Sequence, residues 1–322
     1  MKRTTLLLTA TASAALMSVT ACGSNSDPLS TSSSSSTASA GAGSSSTSSG
    51  GGGGGGGSVV VGSANFPENA LLAEIYAGAL KAKGVQVKKK LNIGSRETYI
   101  PALKDGSIDL IPEYTGVLTQ YFSKTLKAVS SDGVYSELKA SLPSTLTVLD
   151  KSAAEDKDAV AVTKATAAKD HLKTIADLQP IAKNITLGGP PEWKTRATGV
   201  PGLKKVYGLT FKSFRPLDTG GPLSVQALKN GQVDAVNLFT TDPSIAANSF
   251  VILGDPKNLY AAQNVVPLIT KSKSNPTIAS ALNAVSAKLD TKTLGELVKQ
   301  VVVEKKDASA VAKDFLSKNS LG

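Results

Sequence analysis

The sequence has little of the chemistry on which most enzymes rely. Its 322 residues include one histidine, one cysteine, one tryptophan and two methionines, and aromatic residues make up 5%. The cysteine, Cys22, lies near the N-terminus, so the rest of the chain can form neither a disulfide nor a cysteine metal site and must be held by its core. With His171 alone, the usual nitrogen and sulfur metal sites are excluded, and no histidine-activated nucleophile is plausible. His171 stands in a polar stretch and reads as a surface residue near a helix terminus. Glycine-rich phosphate cradles are missing too. Gly188-Gly189-Pro190-Pro191 is not followed by the lysine and hydroxyl residue of a P-loop, and neither Gly94-Ser95-Arg96 nor Gly220-Gly221 fits a dinucleotide fingerprint. Carboxylate pairs such as Asp109 and Glu113 exist, as in any α/β protein. No metal and no cofactor is expected, and the chain reads as a binder rather than an enzyme.

What is present begins at the N-terminus. Lys2 and Arg3 precede an apolar stretch from Leu6 to Met17, then Val19-Thr20-Ala21-Cys22. A positive start, an apolar run and small residues before a cleavage point make a secretory signal, here residues 1–21. The run is too short to span a bilayer. A cysteine at this place reads as a lipidation site, with cleavage before Cys22 and a diacylglyceryl group supplying the two chains that stable anchoring needs. Residues 22–58 are mostly Ser, Thr, Ala and Gly, with an unbroken glycine run from Gly50 to Gly57. Such a segment buries too little apolar surface to offset chain entropy. It is expected to be a flexible tether spanning roughly 30–35 Å. The chain is therefore expected on the extracytoplasmic face of a bacterial cytoplasmic membrane. Net charge is +10 at pH 7. In an exported, tethered chain this points to an anionic membrane surface rather than to nucleic acid.

From Val59 onward the pattern is α/β. Val59-Val60-Val61-Gly62 reads as a buried parallel strand. Pro67 opens a helix whose Leu72, Ile75, Tyr76, Ala79 and Leu80 recur at helical spacing until Gly84. Val85 and Val87 lead a second strand, Arg96 to Lys104 a second helix, and Ile108 to Ile111 a third strand. The theme returns in the middle. Strands are expected at Ala159–Val162, Ile185–Leu187 and Val233–Leu238, and helices at Thr174–Leu178, Leu203–Tyr207 and Leu223–Leu228. Strands at Phe250–Leu253 and Val265–Ile269 and three tail helices close the chain. Two such units with a strand-rich return imply two lobes. The first comprises residues 59–161 and 251–322 and the second 162–250, with crossings near Ala159–Val162 and Phe250–Ile269. Ligands of open parallel sheets lie beyond the carboxyl ends of the strands, so the cleft between the lobes is the expected site.

Several strings are more specific. They are Val61-Gly62-Ser63-Ala64-Asn65-Phe66-Pro67-Glu68, Ile93-Gly94-Ser95-Arg96-Glu97-Thr98-Tyr99 and Ile108-Asp109-Leu110-Ile111-Pro112-Glu113-Tyr114-Thr115-Gly116. Glu192-Trp193-Lys194-Thr195-Arg196, Gly202 to Leu209, Ala227 to Asp234 and Thr240-Thr241-Asp242 follow. From about Val59 to Ile269 the chain resembles the osmoprotectant (glycine betaine, choline, carnitine) substrate-binding proteins of ABC importers. The resemblance implies a type II periplasmic-binding-protein fold with the ligand cleft between two lobes. It also implies a small-molecule solute, a permease and, through it, a cytoplasmic ATPase. Family members hold a quaternary ammonium head among tyrosines by cation–π attraction. By position, Tyr114 stands at a cage tyrosine and Arg196 at the carboxylate-binding arginine. Asp158, Val225 and Gln263 stand where further cage tyrosines are expected, Tyr260 reaching the last position only through a shift. Asn65, Phe66 and Asn69 at the first strand-to-helix turn, Arg96, Trp193, Thr219 and Thr240 complete the expected ligand-binding set. Because the aromatic box is incomplete, a larger neutral, polyhydroxylated or phenolic ligand is the second expectation. An anchored hydrolase or transferase, needing a nucleophile and base that the sequence does not offer, is the competing class, and a sensory or adhesive lipoprotein a third. A monomer is expected.

Overall fold

The computed structural model describes residues 58–123 and 125–322. The expected signal (1–21), Cys22 and nearly all of the tether lie outside the described residues. The first lobe opens with β1 (Val59–Gly62), α1 (Pro67–Ala82), β2 (Val87–Lys90), α2 (Arg96–Lys104), β3 (Leu110–Tyr114), α3 (Thr115–Phe122), α4 (Ser131–Ser141) and β4 (Leu146–Val148). The second lobe holds β5 (Asp158–Thr163), α5 (Lys164–Lys169), β6 (Thr186–Gly189), α6 (Val200–Tyr207), β7 (Ser213–Pro216), α7 (Pro222–Lys229), β8 (Ala235–Phe239), α8 (Ser244–Ala247) and β9 (Phe250–Ile252). The chain returns to the first lobe with β10 (Val265–Thr270), α9 (Pro276–Ser286), α10 (Thr291–Val302) and α11 (Ala308–Lys318).

Both sheets follow one plan. The first has the order β2-β1-β3-β10-β4 and the second β7-β6-β8-β5-β9. In each, three parallel strands are followed by one antiparallel strand, β10 in the first and β5 in the second. Those two strands are nearly all apolar because helices cover both faces. The strand expected to cross between lobes near Ala159–Val162 lies wholly in the second sheet, and so does β9. The first crossing is instead the irregular stretch 149–157, and the second, 253–264, falls within the expected Phe250–Ile269. There the backbone amides of hinge residues bond across, Asp156 N–H donating to the Gln263 carbonyl, with Glu155 bridging Asn264. A connection made of two short paired segments bends more easily than one made of sheet interior.

Helix α1 holds the first lobe together. Leu71, Leu72, Ile75 and Leu80 are fully buried, worth about 1.5–3 kcal/mol each. They join Val285 of α9, Leu294 of α10 and Phe315 of α11 in one cluster. Those tail helices start where side-chain oxygens accept the first free N–H groups: Asn275 from Ile278, Asp290 from Thr293, and Asp307 from Ser309 and Ala310. The opposite face of the first sheet packs Ile100, Leu103, Ile108 and Leu118. The second lobe is built on Trp193, Leu187 and Leu203 on one face and Leu228, Val236 and Leu238 on the other. Among the described residues no helix is long and apolar enough to cross a membrane. His171 is exposed, with a φ of 52°, just beyond α5.

Candidate functional site

The carboxyl ends of β1, β3, β6 and β8 and the start of β5 meet between the lobes. Local chemistry explains their placement. After β1 the chain turns through Ser63 to Phe66, and Pro67 occupies the first turn of α1. β3 runs through Pro112 and Glu113 to Tyr114 and passes at once into α3. After β6 a single 3-10 turn, Pro191–Lys194, swings Trp193 inward. Period-two alternation along β8 puts Asn237 and Phe239 on the same side.

The residues enclose a cavity of about 50 Å³, room for roughly four waters or one compact cationic head. Nine of the twelve expected ligand residues line it: Asn65, Phe66, Arg96, Tyr114, Asp158, Trp193, Arg196, Thr219 and Gln263. Asn69, Val225 and Thr240 do not. The Asn69 side chain is buried in the first lobe, accepting from Ala64 N–H at 2.8 Å and donating to the Pro112 carbonyl at 3.0 Å, so it braces the β1 turn. Val225, in the first turns of α7, faces a neighbouring space. The Thr240 hydroxyl accepts from Lys157 N–H at the hinge. The sequence reading missed Phe239, Asn237 and Asp156, which also line the cavity. The period-two pattern at the end of β8 carried a signal for the first two; Asp156, in a polar hinge stretch, carried none.

The lobes are closed around this cavity. Phe66 of the first lobe stacks on Phe239 of the second at 5.2 Å, and Phe66 also lies 6.1 Å from Tyr114. Thr241 of the second lobe donates to Glu68 of α1 at 2.6 Å, and the other oxygen of Glu68 accepts from Tyr114 at 2.7 Å. Arg196 reaches across to Glu97 with two hydrogen bonds of 3.0 and 2.8 Å and lies 3.6 Å from Glu192. The arginine expected to take a ligand carboxylate is therefore already engaged by two side-chain carboxylates. Arg96 is likewise held by Glu113 through bonds of 2.7 and 2.8 Å, so its guanidinium serves the wall. Gln263, at a cage-tyrosine position, turns its oxygen to the Val117 N–H at 2.9 Å and steadies the start of α3.

The electrostatics are lopsided. Asp158 accepts from the Asn237 amide at 3.0 Å. Burial pushes its carboxyl above the usual range, against the Asn237 hydrogen bond and the more distant charges of Arg196 and Arg96. The Asn237 side-chain oxygen is buried with no hydrogen-bond partner, an expensive condition in a folded protein, and the buried Trp193 indole N–H lies near enough to Asp158 to help hold its carboxyl down. Behind them, burial raises both Glu68 and Asp156; the charge of Glu68 raises Asp156 further, while hydrogen bonds with Thr241, Tyr114 and Asp156 hold Glu68 down in part. Among the described residues no group of three His, Cys, Asp or Glu could hold a metal ion.

Two α/β lobes of matching topology, joined by paired hinge segments and shut over a small polar and aromatic cavity, define a hinged solute-binding protein. The chain belongs to the family described as the substrate binding domain of ABC-type glycine betaine transport systems, which it matches over residues 57–318. It is 29% identical over 272 residues to the glycine betaine-binding protein YehZ of Escherichia coli K12, covering 80% of this chain and 89% of YehZ. It is 28% identical over 269 residues to the Helicobacter pylori ergothioneine transport permease/ergothioneine binding protein EgtU, covering 82% of this chain but 48% of that longer protein. Apo YehZ from Escherichia coli superposes with a TM-score of 0.57 over 82% of this chain and 99% of that one, at 29% identity. A glycine betaine/carnitine/choline ABC transporter structure superposes with a TM-score of 0.64 over 82% and 99% at 24% identity, which supports the fold. The architecture is thus the two-lobed type II periplasmic binding fold, and the chain is similar to transport proteins rather than enzymes.

Proposed function

We propose that this protein captures a quaternary ammonium solute in the Asp158 cavity and hands it, unaltered, to an ABC permease driven by a cytoplasmic ATPase. Charge carries the reading. Asp158 faces the cavity with a neutral amide as its hydrogen-bond partner, while both arginines of the wall are bound to glutamates. A cation would neutralise Asp158 and lie against Phe66, Tyr114, Trp193 and Phe239, each aromatic face contributing about 0.5–2 kcal/mol. Choline is therefore favoured over glycine betaine, whose carboxylate would meet Asp158 unless Arg196 let go of Glu97. A cavity of about 50 Å³ gives no support to a larger phenolic ligand in this closed form.

Calorimetry with choline, glycine betaine, carnitine, ergothioneine and a phenolic panel tests this. Choline is expected to bind most tightly. Asp158→Asn is expected to weaken choline by about tenfold or more, equivalent to about 1.4 kcal/mol per decade, without lowering Tm. Unchanged choline affinity in that variant, or no response to any quaternary amine, would refute the reading. Mass spectrometry of the released solute checks that no chemistry has occurred.

The same reading places the protein outside the cytoplasmic membrane as a lipid-anchored monomer. Its N-terminal pattern supports this, with Cys22 as the modified residue and the serine- and glycine-rich segment as tether. Cys22→Ser should shift the protein from the membrane fraction to the medium.

A further inference from the structure

The cleft does not end at the Asp158 cavity. Beyond the Phe66–Phe239 pair the lobes enclose a second space of about 320 Å³, within the range of small-molecule pockets. Its first-lobe wall is the end of α10 and the residues after it, Val298, Val301, Val302 and Val303. Its second-lobe wall is the Gly220-Gly221-Pro222 turn, Val225 and Ala247. Apolar side chains from both lobes thus face one another across a space larger than the inner cavity. Val303 is 43% exposed at the rim.

The polar groups of this chamber are mostly of one sign. Glu68, Asp156 and Asp242 line it, against Lys305. Glu68 and Asp156 belong to the interlobe network, but Asp242 does not. One oxygen of Asp242 accepts from Ser244 N–H at 2.8 Å, and the other, which is buried, makes no hydrogen bond outside the Ser244 turn. Ser244 is 8% exposed, and its hydroxyl lies close enough to Asp242 to hold that carboxyl down against the burial that raises it. A carboxyl whose side-chain neighbour is a single hydroxyl, beside an apolar chamber also lined by Glu68 and Asp156, favours a donor carrying positive charge.

We propose that this chamber is a second binding site, for a small organic ammonium ion with an aromatic or branched apolar body, its charged head at Asp242 and Ser244 and its body against the α10 valines. The site is distinct from the Asp158 cavity, from which the stacked phenylalanines divide it, and the proposal does not depend on what fills that cavity.

The probe is 2-phenylethylamine, titrated by calorimetry into the full chain. Saturable binding is expected, with Asp242→Asn weakening it by about tenfold or more, Val302→Trp abolishing it by filling the chamber, and Asp158→Asn leaving it unchanged. The neutral analogue 2-phenylethanol should bind at least about tenfold more weakly. Thermal melts confirm that each variant is folded. Should Val302→Trp fail to fold, the Asp242→Asn and Asp158→Asn pair still decides the matter. No saturable binding, loss in Asp158→Asn rather than Asp242→Asn, or equal binding of the alcohol would each overturn the proposal.

Discussion

Glu113 accepts four hydrogen bonds while fully buried: two from Arg96, one from the Tyr99 hydroxyl and one from Tyr114 N–H. Every lone-pair direction of the carboxylate is used, which is the condition under which a buried ion pair holds a structure in place. Arg96 is itself buried, and Glu113 keeps its guanidinium charged despite burial. Glu113→Gln would leave that charge without its counterion, a loss of about 3–5 kcal/mol. This is on the order of a 10 °C fall in Tm for a domain of this size, measurable by calorimetric melting. The pairing was not legible in the sequence. Both residues stand in strings that marked the site, and Arg96 was expected to touch ligand. Only the fold brings a residue of α2 against β3 and turns that arginine into wall.

At the scale of elements, the loop from Trp193 to Val200 is held by a close approach of backbone to backbone. A Cβ at Gly199 would overlap the Trp193 carbonyl oxygen, and neither side can yield without moving Trp193 and Arg196. Gly199→Ala is therefore expected to weaken solute binding by about tenfold or more. Because Trp193 is the chain's one tryptophan, the same variant should shift its emission to the red as the indole meets water. Unchanged fluorescence would mean that the loop adapts elsewhere. Strongly periodic elements were readable: α2 falls at Arg96–Lys104 as expected, and α1 begins at Pro67. Elements with thin apolar faces were not. α4 buries Val134 and Leu138, β7 is an edge strand of mostly exposed residues ending at Pro216, and α3 follows β3 with no turn residue between them. The first crossing was misplaced because β5 looks the same in sequence whether it links two sheets or lies inside one.

Over the whole molecule, closure couples two sets of acids with opposite pH responses. Glu97 is raised by its own burial, but the hydrogen bonds of Arg196 and Ser95 and the charge of Arg196 outweigh this and hold it down at about 2. In an open form Arg196 moves away and Glu97 returns toward 4.5. The latch therefore favours closure above that value and is lost as pH falls from about 4.5 to about 2. Glu97 remains partly exposed, so the gain is modest and sensitive to salt. Glu68 and Asp156 behave the other way. Burial raises both, and the closed lobes hold their protons more tightly than open lobes would. Their contribution to closure is full below the ordinary carboxylate range and declines as pH rises through the raised values. Solute affinity, which depends on closure, should pass through a maximum in weakly acidic solution, with an acidic limb set by Glu97 and an alkaline limb set by the Glu68–Asp156 pair. Glu97→Gln should remove the acidic limb alone. Glu68→Gln keeps an oxygen for Tyr114 or Thr241 and carries no charge, so it should flatten the alkaline limb and leave the acidic one. Calorimetric titration of the bound solute across pH 3–9 on the three proteins reads both limbs. If Glu68→Gln keeps the whole alkaline limb, Glu68 does not set it, and the limb belongs to Asp156, raised chiefly by its own burial, or to Asp158 in the solute cavity.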